Sequence, residues 1–159
     1  EQLKMGRSVA LVSDAGMPII CDPGEDLVKN AKSNKIDIIC VPGPCAAITA
    51  LVSSGMPSSR FIFEGFLPPK KGRKKILDEL SKFNGSVIIF ENPKRLQRTL
   101  NESLASFGDR PCVLARELTK IHEIFYRDTI SGILSNIEKI NLKGEMVLMI
   151  GKDDKNVYF

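Results

Sequence analysis

Two short stretches near the start of the chain read as buried strands: Ser8 to Ser13 (SVALVS), apolar at consecutive positions, and Ile36 to Val41 (IDIICV), apolar except at Asp37. Continuous apolarity, rather than alternation, marks a strand buried on both faces, as in a parallel sheet. Between them a helix is predicted over Glu25 to Ser33. Glu25 and Asp26 suit its positive end, and Leu27, Val28 and Ala31 share one face. After the second stretch, Pro42-Gly43-Pro44 predicts a tight turn with Pro44 in the first turn of a helix, which runs to Ser54 and stops at Gly55. Strand, helix, strand, helix implies a first lobe built on a partial parallel sheet.

Met56-Pro57-Ser58-Ser59 reads as a joint. Beyond it the pattern predicts a strand over Arg60 to Phe66, a basic amphipathic helix over Lys71 to Phe83 and a strand over Ser86 to Glu91. A helix follows from Pro93 to Phe107, with Pro93 in the first-turn slot and Gly108 just past its end. Cys112 to Arg116 is a strand, Glu123 to Arg127 an extended segment, Ile130 to Lys139 a helix and Glu145 to Ile150 a last buried strand. The expected architecture is α/β with two lobes, residues 1–57 and 58–152, the second a mixed sheet with helices, then a polar tail over 153–159. Two parallel strands and two helices give the first lobe a thin core with unpaired edges. Earlier strands of that lobe are therefore expected to be missing from this chain.

Composition adds constraints. The 159 residues are 43% hydrophobic and 26% charged, an ordinary globular balance that excludes a disordered chain. No apolar run approaches the ~20 residues of a membrane-spanning helix. The net charge of +4 permits a polyanionic partner without demanding one. Cys21, Cys40, Cys45 and Cys112 form no CxxC pair, and His122 is the single histidine, so no metal site is expected. Reduced thiols in a cytoplasmic protein are the expectation.

The candidate chemistry begins in two loops. In an open parallel sheet, ligands sit outside the carboxyl ends of the strands. The loops there are Ser13-Asp14-Ala15-Gly16-Met17-Pro18, closing at Cys21-Asp22-Pro23-Gly24, and Val41-Pro42-Gly43-Pro44-Cys45-Ala46-Ala47. Tiny side chains let a ligand approach the backbone, and a helix start at Pro44 offers free N–H groups. The alternative is that the glycines serve only turns and packing. Neither loop matches the dinucleotide or phosphate-loop patterns, so NAD and ATP are not favoured.

Five blocks, in order, carry a resemblance. Ser13 to Gly24 (SDAGMPIICDPG), Pro42 to Ala47 (PGPCAA), Glu64 to Pro68 (EGFLP), Ala115 to Lys120 (ARELTK) and Lys143 to Glu145 (KGE) together resemble the ribosomal RNA small-subunit methyltransferase I family. That family is one branch of the tetrapyrrole-methylase-like methyltransferases. Met17 stands where the family has Thr, and nothing here corresponds to the family's opening PIGNLxD loop.

The resemblance implies S-adenosylmethionine held in a cleft between two α/β lobes, in a dimer. The implied reaction is methylation of a ribose 2′-hydroxyl on a cytidine of small-subunit ribosomal RNA, as RNA or 30S particle. Cofactor-binding candidates are then Asp14, Ala15, Gly16, Pro44, Cys45, Ala46, Ala47, Leu67 and Pro68. Methyl transfer from a sulfonium is an in-line displacement, and a ribose hydroxyl is a poor nucleophile that needs help losing its proton. Glu64, Arg116, Glu117 and Lys120 are the catalytic candidates, because the resemblance places their blocks near the cleft; no single base stands out. The cationic run Lys70, Lys71, Arg73, Lys74 and Lys75 is the candidate RNA-phosphate grip, with Lys94, Arg95 and Arg98 as possible extensions. Phe61, Phe63, Phe83 and Phe90 read as core rather than base-stacking platforms. Two alternatives stand beside this: a tetrapyrrole methylase acting on a small macrocycle, and a non-catalytic RNA-binding fragment.

Overall fold

The computed structural model describes Glu1 to Lys152; the tail expected over 153–159 lies outside the described residues. The chain forms two compact units, Glu1–Cys45 and a second that begins at Ala46.

The first unit contains a short 3₁₀ turn, Gln2–Met5, and helix α1, Glu25–Ser33, where the sequence predicts it. The two apolar runs differ from expectation. Residues 8–13 and 36–41 pair in no sheet, and Val12, Ile39 and Val41 are more than 80% exposed. A two-strand parallel pair has no neighbour to complete its ladder or cover its faces, so consecutive apolar residues do not by themselves make a sheet.

The second unit carries the core. Its helices are α2 (Ala46–Ser54), α3 (Arg73–Leu80), α4 (Leu96–Phe107) and α5 (Ile130–Ser135); its strands are β1 (Phe61–Phe66), β2 (Ser86–Glu91), β3 (Pro111–Arg116), β4 (Ile124–Thr129) and β5 (Met146–Ile150). They form the expected mixed sheet, in the order β1-β2-β5-β3-β4. β1 and β2 are parallel; β5 runs antiparallel to both β2 and β3, and β4 antiparallel to β3. Thus β1, β2 and β3 share a direction and deliver their carboxyl ends to the same end of the sheet.

Both faces of the central strands β2, β5 and β3 are covered, which is why these three read as nearly unbroken apolar runs. Val87, Ile89, Cys112, Leu114, Leu148 and Ile150 face a core shared with α3, α4 and α5 through Leu77, Leu80, Leu96, Leu100, Phe107, Ile130 and Ile133. The alternate residues Ile88, Val113, Ala115 and Met149 are equally buried. They are covered by α2, which packs on β2, β5 and β3. Arg127 of β4 donates to the Ser53 and Ser54 carbonyls at 2.7 and 3.2 Å, satisfying the open end of α2.

Candidate functional site

In the first unit the two small-residue loops touch. Gly16 has φ +75°, and a Cβ there would stand 3.4 Å from the Pro44 carbonyl; one at Gly43 would stand 3.4 Å from Met17 Cγ. The Ser13 hydroxyl donates to the Asp22 carboxylate at 2.5 Å and so ties the two ends of the first loop. Ile19 and Cys21 hold left-handed backbone (φ +76° and +57°), which for a β-branched residue such as Ile19 is an outlier held by its surroundings. Asp14, Ala15, Gly16 and Pro44 are exposed and Cys45 is half-buried.

Not every cofactor candidate is at a surface. Ala47, at 1% exposed, is a buried position of α2, while Ala46 stays exposed. Leu67, also 1% exposed, belongs to the core, and its carbonyl accepts from Arg95. The side chains of Ala47 and Leu67 are therefore packing residues, a correction to the sequence expectation. Pro68 is half-buried, and its carbonyl accepts from Arg73.

The four catalytic candidates sit toward the end of the sheet where β1, β2 and β3 finish, but not at one point. Glu64 lies on β1, and three inter-strand spacings, about 14 Å, separate β1 from β3. Register shifts between Phe63 and Gly65, so Glu64 is the extra residue of a bulge, a feature that re-aims a side chain. Its carboxylate is half-buried and, among the described residues, has no hydrogen-bond or ion-pair partner.

Arg116, Glu117 and Lys120 are brought together, and they bind one another's surroundings. Arg116, 8% exposed, donates to the Lys143 carbonyl at 2.7 Å and the His122 carbonyl at 3.3 Å. Glu117 accepts the Glu145 N–H at 2.8 Å and the Lys120 ammonium at 3.2 Å. Lys120 also reaches Glu145 at 2.9 Å. The Glu145 N–H and then Lys120 hold the Glu117 carboxyl below the ordinary carboxylate value. Glu145 and then Glu117 raise Lys120. Glu117 and Thr119 are both left-handed (φ +51° and +63°). This is a built turn that crosslinks the ARELTK and KGE blocks.

The basic run divides. Lys70, Lys71, Lys74 and Lys75 are exposed, but Arg73 is 2% exposed and paired with Glu91, Glu102 and Thr99. Arg73 therefore cannot meet a phosphate, which corrects the expectation. The signal was present: Arg73, Leu77 and Leu80 follow helical spacing and form the buried stripe of α3. Arg95 and Arg98 are likewise engaged with Glu91 and Glu102. Sequence reasoning missed Glu91, Thr99 and Glu102. Of these Glu91 had a signal, a carboxylate closing a buried strand at its carboxyl end. Burial works to raise the Glu102 pKa, and the Arg73 and Arg98 guanidiniums outweigh it, leaving it lowered.

The sequence profile of the Tetrapyrrole (Corrin/Porphyrin) Methylases matches residues 1–134. The chain belongs to the tetrapyrrole methylase family. Within that family it is 47% identical over 152 residues to a Thermotoga maritima protein named ribosomal RNA small subunit methyltransferase I, covering 95% of this chain and 68% of that one. A Streptococcus pyogenes serotype M1 protein of the same name is 47% identical over 146 residues, covering 91% of this chain and 51% of the relative. The chain thus spans between about half and two-thirds of these relatives. Among solved structures, the methyltransferase CobJ superposes with a TM-score of 0.68 at 19% identity, covering 96% of this chain and 67% of that one. Uroporphyrin-III C-methyltransferase from Thermus thermophilus, complexed with S-adenosyl homocysteine, gives 0.60 at 14% identity, covering 86% and 62%. These two likenesses establish the family's α/β fold. Among the described residues no helix is long and apolar enough to cross a membrane, and no cluster of His, Cys, Asp and Glu could hold a metal ion.

Proposed function

We propose that this protein acts as an S-adenosylmethionine-dependent methyltransferase that modifies the ribose 2′-hydroxyl of a cytidine in small-subunit ribosomal RNA. The observation that carries the reading is the likeness to the Thermotoga protein, which extends through both units. The exposed lysines support a polyanionic substrate over a small macrocycle. A cytoplasmic homodimer acting on the RNA or the 30S particle completes the proposal; exposed Val9, Val12, Ile39 and Val41 offer apolar surface to a second copy.

The residues of the first unit fit a cofactor recognised through its backbone contacts. Asp14, Ala15, Gly16, Pro44 and Cys45 are small or accessible, and Asp14 supplies the only carboxylate among them, suited to hydroxyl or ammonium donors. When bound, S-adenosylmethionine supplies an electrophilic methyl carbon on a sulfonium. The part left to the chain's own residues would be to take up the proton that the hydroxyl loses. Glu64 is the candidate carboxylate with an open coordination shell, so it is assigned the proton. Arg116, Glu117 and Lys120 are assigned to holding the turn that follows β3.

Labelled methyl transfer from S-adenosylmethionine to small ribosomal subunits tests this reading. Label recovered in ribose 2′-O-methylcytidine is the expected result. Label appearing only in a tetrapyrrole macrocycle would replace the substrate. RNA binding without calorimetric heat from S-adenosylmethionine would reduce the chain to a binding module.

A further inference from the structure

β1 ends at Phe66 and runs into Leu67-Pro68-Pro69. Neither proline has an N–H, so the segment cannot extend the ladder, and its carbonyls need donors elsewhere. Three arginines supply them in sequence. Arg95 Nη1 donates to the Leu67 carbonyl at 3.3 Å, Arg73 Nη1 to the Pro68 carbonyl at 3.3 Å and Arg98 Nη1 to the Pro69 carbonyl at 3.0 Å. Two acids hold the arginines in turn. Glu91 pairs with Arg95 at 3.0 Å and Arg73 at 3.5 Å. Glu102 takes Arg98 Nε at 2.7 Å and Arg73 Nε. The Thr99 hydroxyl bridges Arg73 and Glu91.

Arg73 and Glu91 are 2% exposed and Thr99 is fully buried. Buried ion pairs are poor stabilisers, because desolvation consumes most of their attraction and apolar residues of similar volume do as well. What an apolar core cannot do is fix three successive carbonyls in place. The next residues in the chain are Lys70 and Lys71.

We propose that Arg73, Arg95 and Arg98, set by Glu91 and Glu102, clamp the Leu67–Pro69 turn and thereby pre-position the Lys70, Lys71, Lys74 and Lys75 ammonium groups for RNA phosphates. This rests on the ribosomal RNA reading above. Glu102 is a positioning residue, about one-third exposed. Its sign makes it informative. A carboxylate beside a cationic grip repels RNA, so plain electrostatics has its removal tighten binding. The clamp has it weaken binding, with no change in the number of phosphates neutralised.

The test measures affinity for a transcript of small-subunit ribosomal RNA across a salt series, with the thermal midpoint of each variant. Glu102→Gln should raise Kd three- to tenfold with an unchanged log Kd against log salt slope. Arg98→Lys keeps the charge but loses the fork that spans Glu102 and Pro69, and should do the same; it carries the test if Glu102→Gln fails to fold. Wild-type or tighter binding by these variants overturns the clamp. A combined Lys70, Lys71, Lys74 and Lys75 to Ala variant should flatten the slope. If that variant binds as wild type, the RNA role of the run fails, and the clamp with it; if only that variant weakens binding, the clamp alone fails.

Discussion

The Glu117 carboxylate lies over Gly144 so closely that a Cβ at that position would collide with it. Gly144 is itself left-handed, with φ +84°. Two separate sequence blocks thus lock at a point where one residue must lack a side chain and the other must fold back.

Gly144→Ala should cost about 1–2 kcal/mol from backbone strain alone and displace the Glu117 carboxylate. For a chain of this size that is a fall of roughly 2–8 °C in Tm by calorimetry. Gly72→Ala is the control: at φ +82° it is also left-handed but has open space around it, so it carries backbone strain without the collision.

The pH dependence of this lock follows from its signs. The folded Glu117 carboxyl is held below its ordinary value of 4.5, by the Glu145 N–H first and Lys120 second. Its contribution is complete above pH 4.5 and fades as pH falls through the lowered folded value. Lys120 is raised above 10.5, by Glu145 first. Its contribution is complete below that pH and is lost as pH climbs through the raised folded value. Wild type should therefore melt above Glu117→Gln at pH 7, with the gap closing toward pH 3.

Glu64→Gln should leave the fold intact, since its carboxylate holds nothing in place. The amide keeps the size and removes the proton acceptor. A fall of about 10²-fold in kcat with KM for RNA unchanged is expected if it serves as base. Wild-type turnover would reassign the proton.

Cysteine reactivity should be uneven. Burial pushes the Cys112 thiol far up, with Asp109 and Asp128 adding to it, while Cys21 and Cys40 are exposed. Iodoacetamide at neutral pH should label Cys21 and Cys40 within minutes and leave Cys112 untouched until the chain is denatured, read by peptide mass spectrometry.

The second unit was readable because its central strands β2, β3 and β5 are buried on both faces. The run Ser86 to Glu91 is β2 to the residue. Helix ends were less so: Gly72, at φ +82°, delays α3 to Arg73, and the predicted helix to Lys139 ends at Ser135, with Ile137–Lys139 a 3₁₀ turn. The first unit misled because Val9 to Val12 and Ile36 to Val41 are apolar enough for strands, while pairing depends on neighbours no local pattern specifies. Arg73 misled because a charge inside a basic run reads as surface, and only its register with Leu77 and Leu80 reveals a buried face. Glu117 could be nominated by its motif, but its left-handed backbone and its contact with Gly144, 27 residues later, are tertiary facts.

The strand that joins β2 to β3 is the last one in the described chain. Until Met146–Ile150 emerges from the ribosome, the β1–β2 pair and the β3–β4 hairpin have nothing between them to hydrogen-bond. A nascent chain stalled before Met146 should expose both halves to protease, and release of the final strand should close the sheet in one cooperative step.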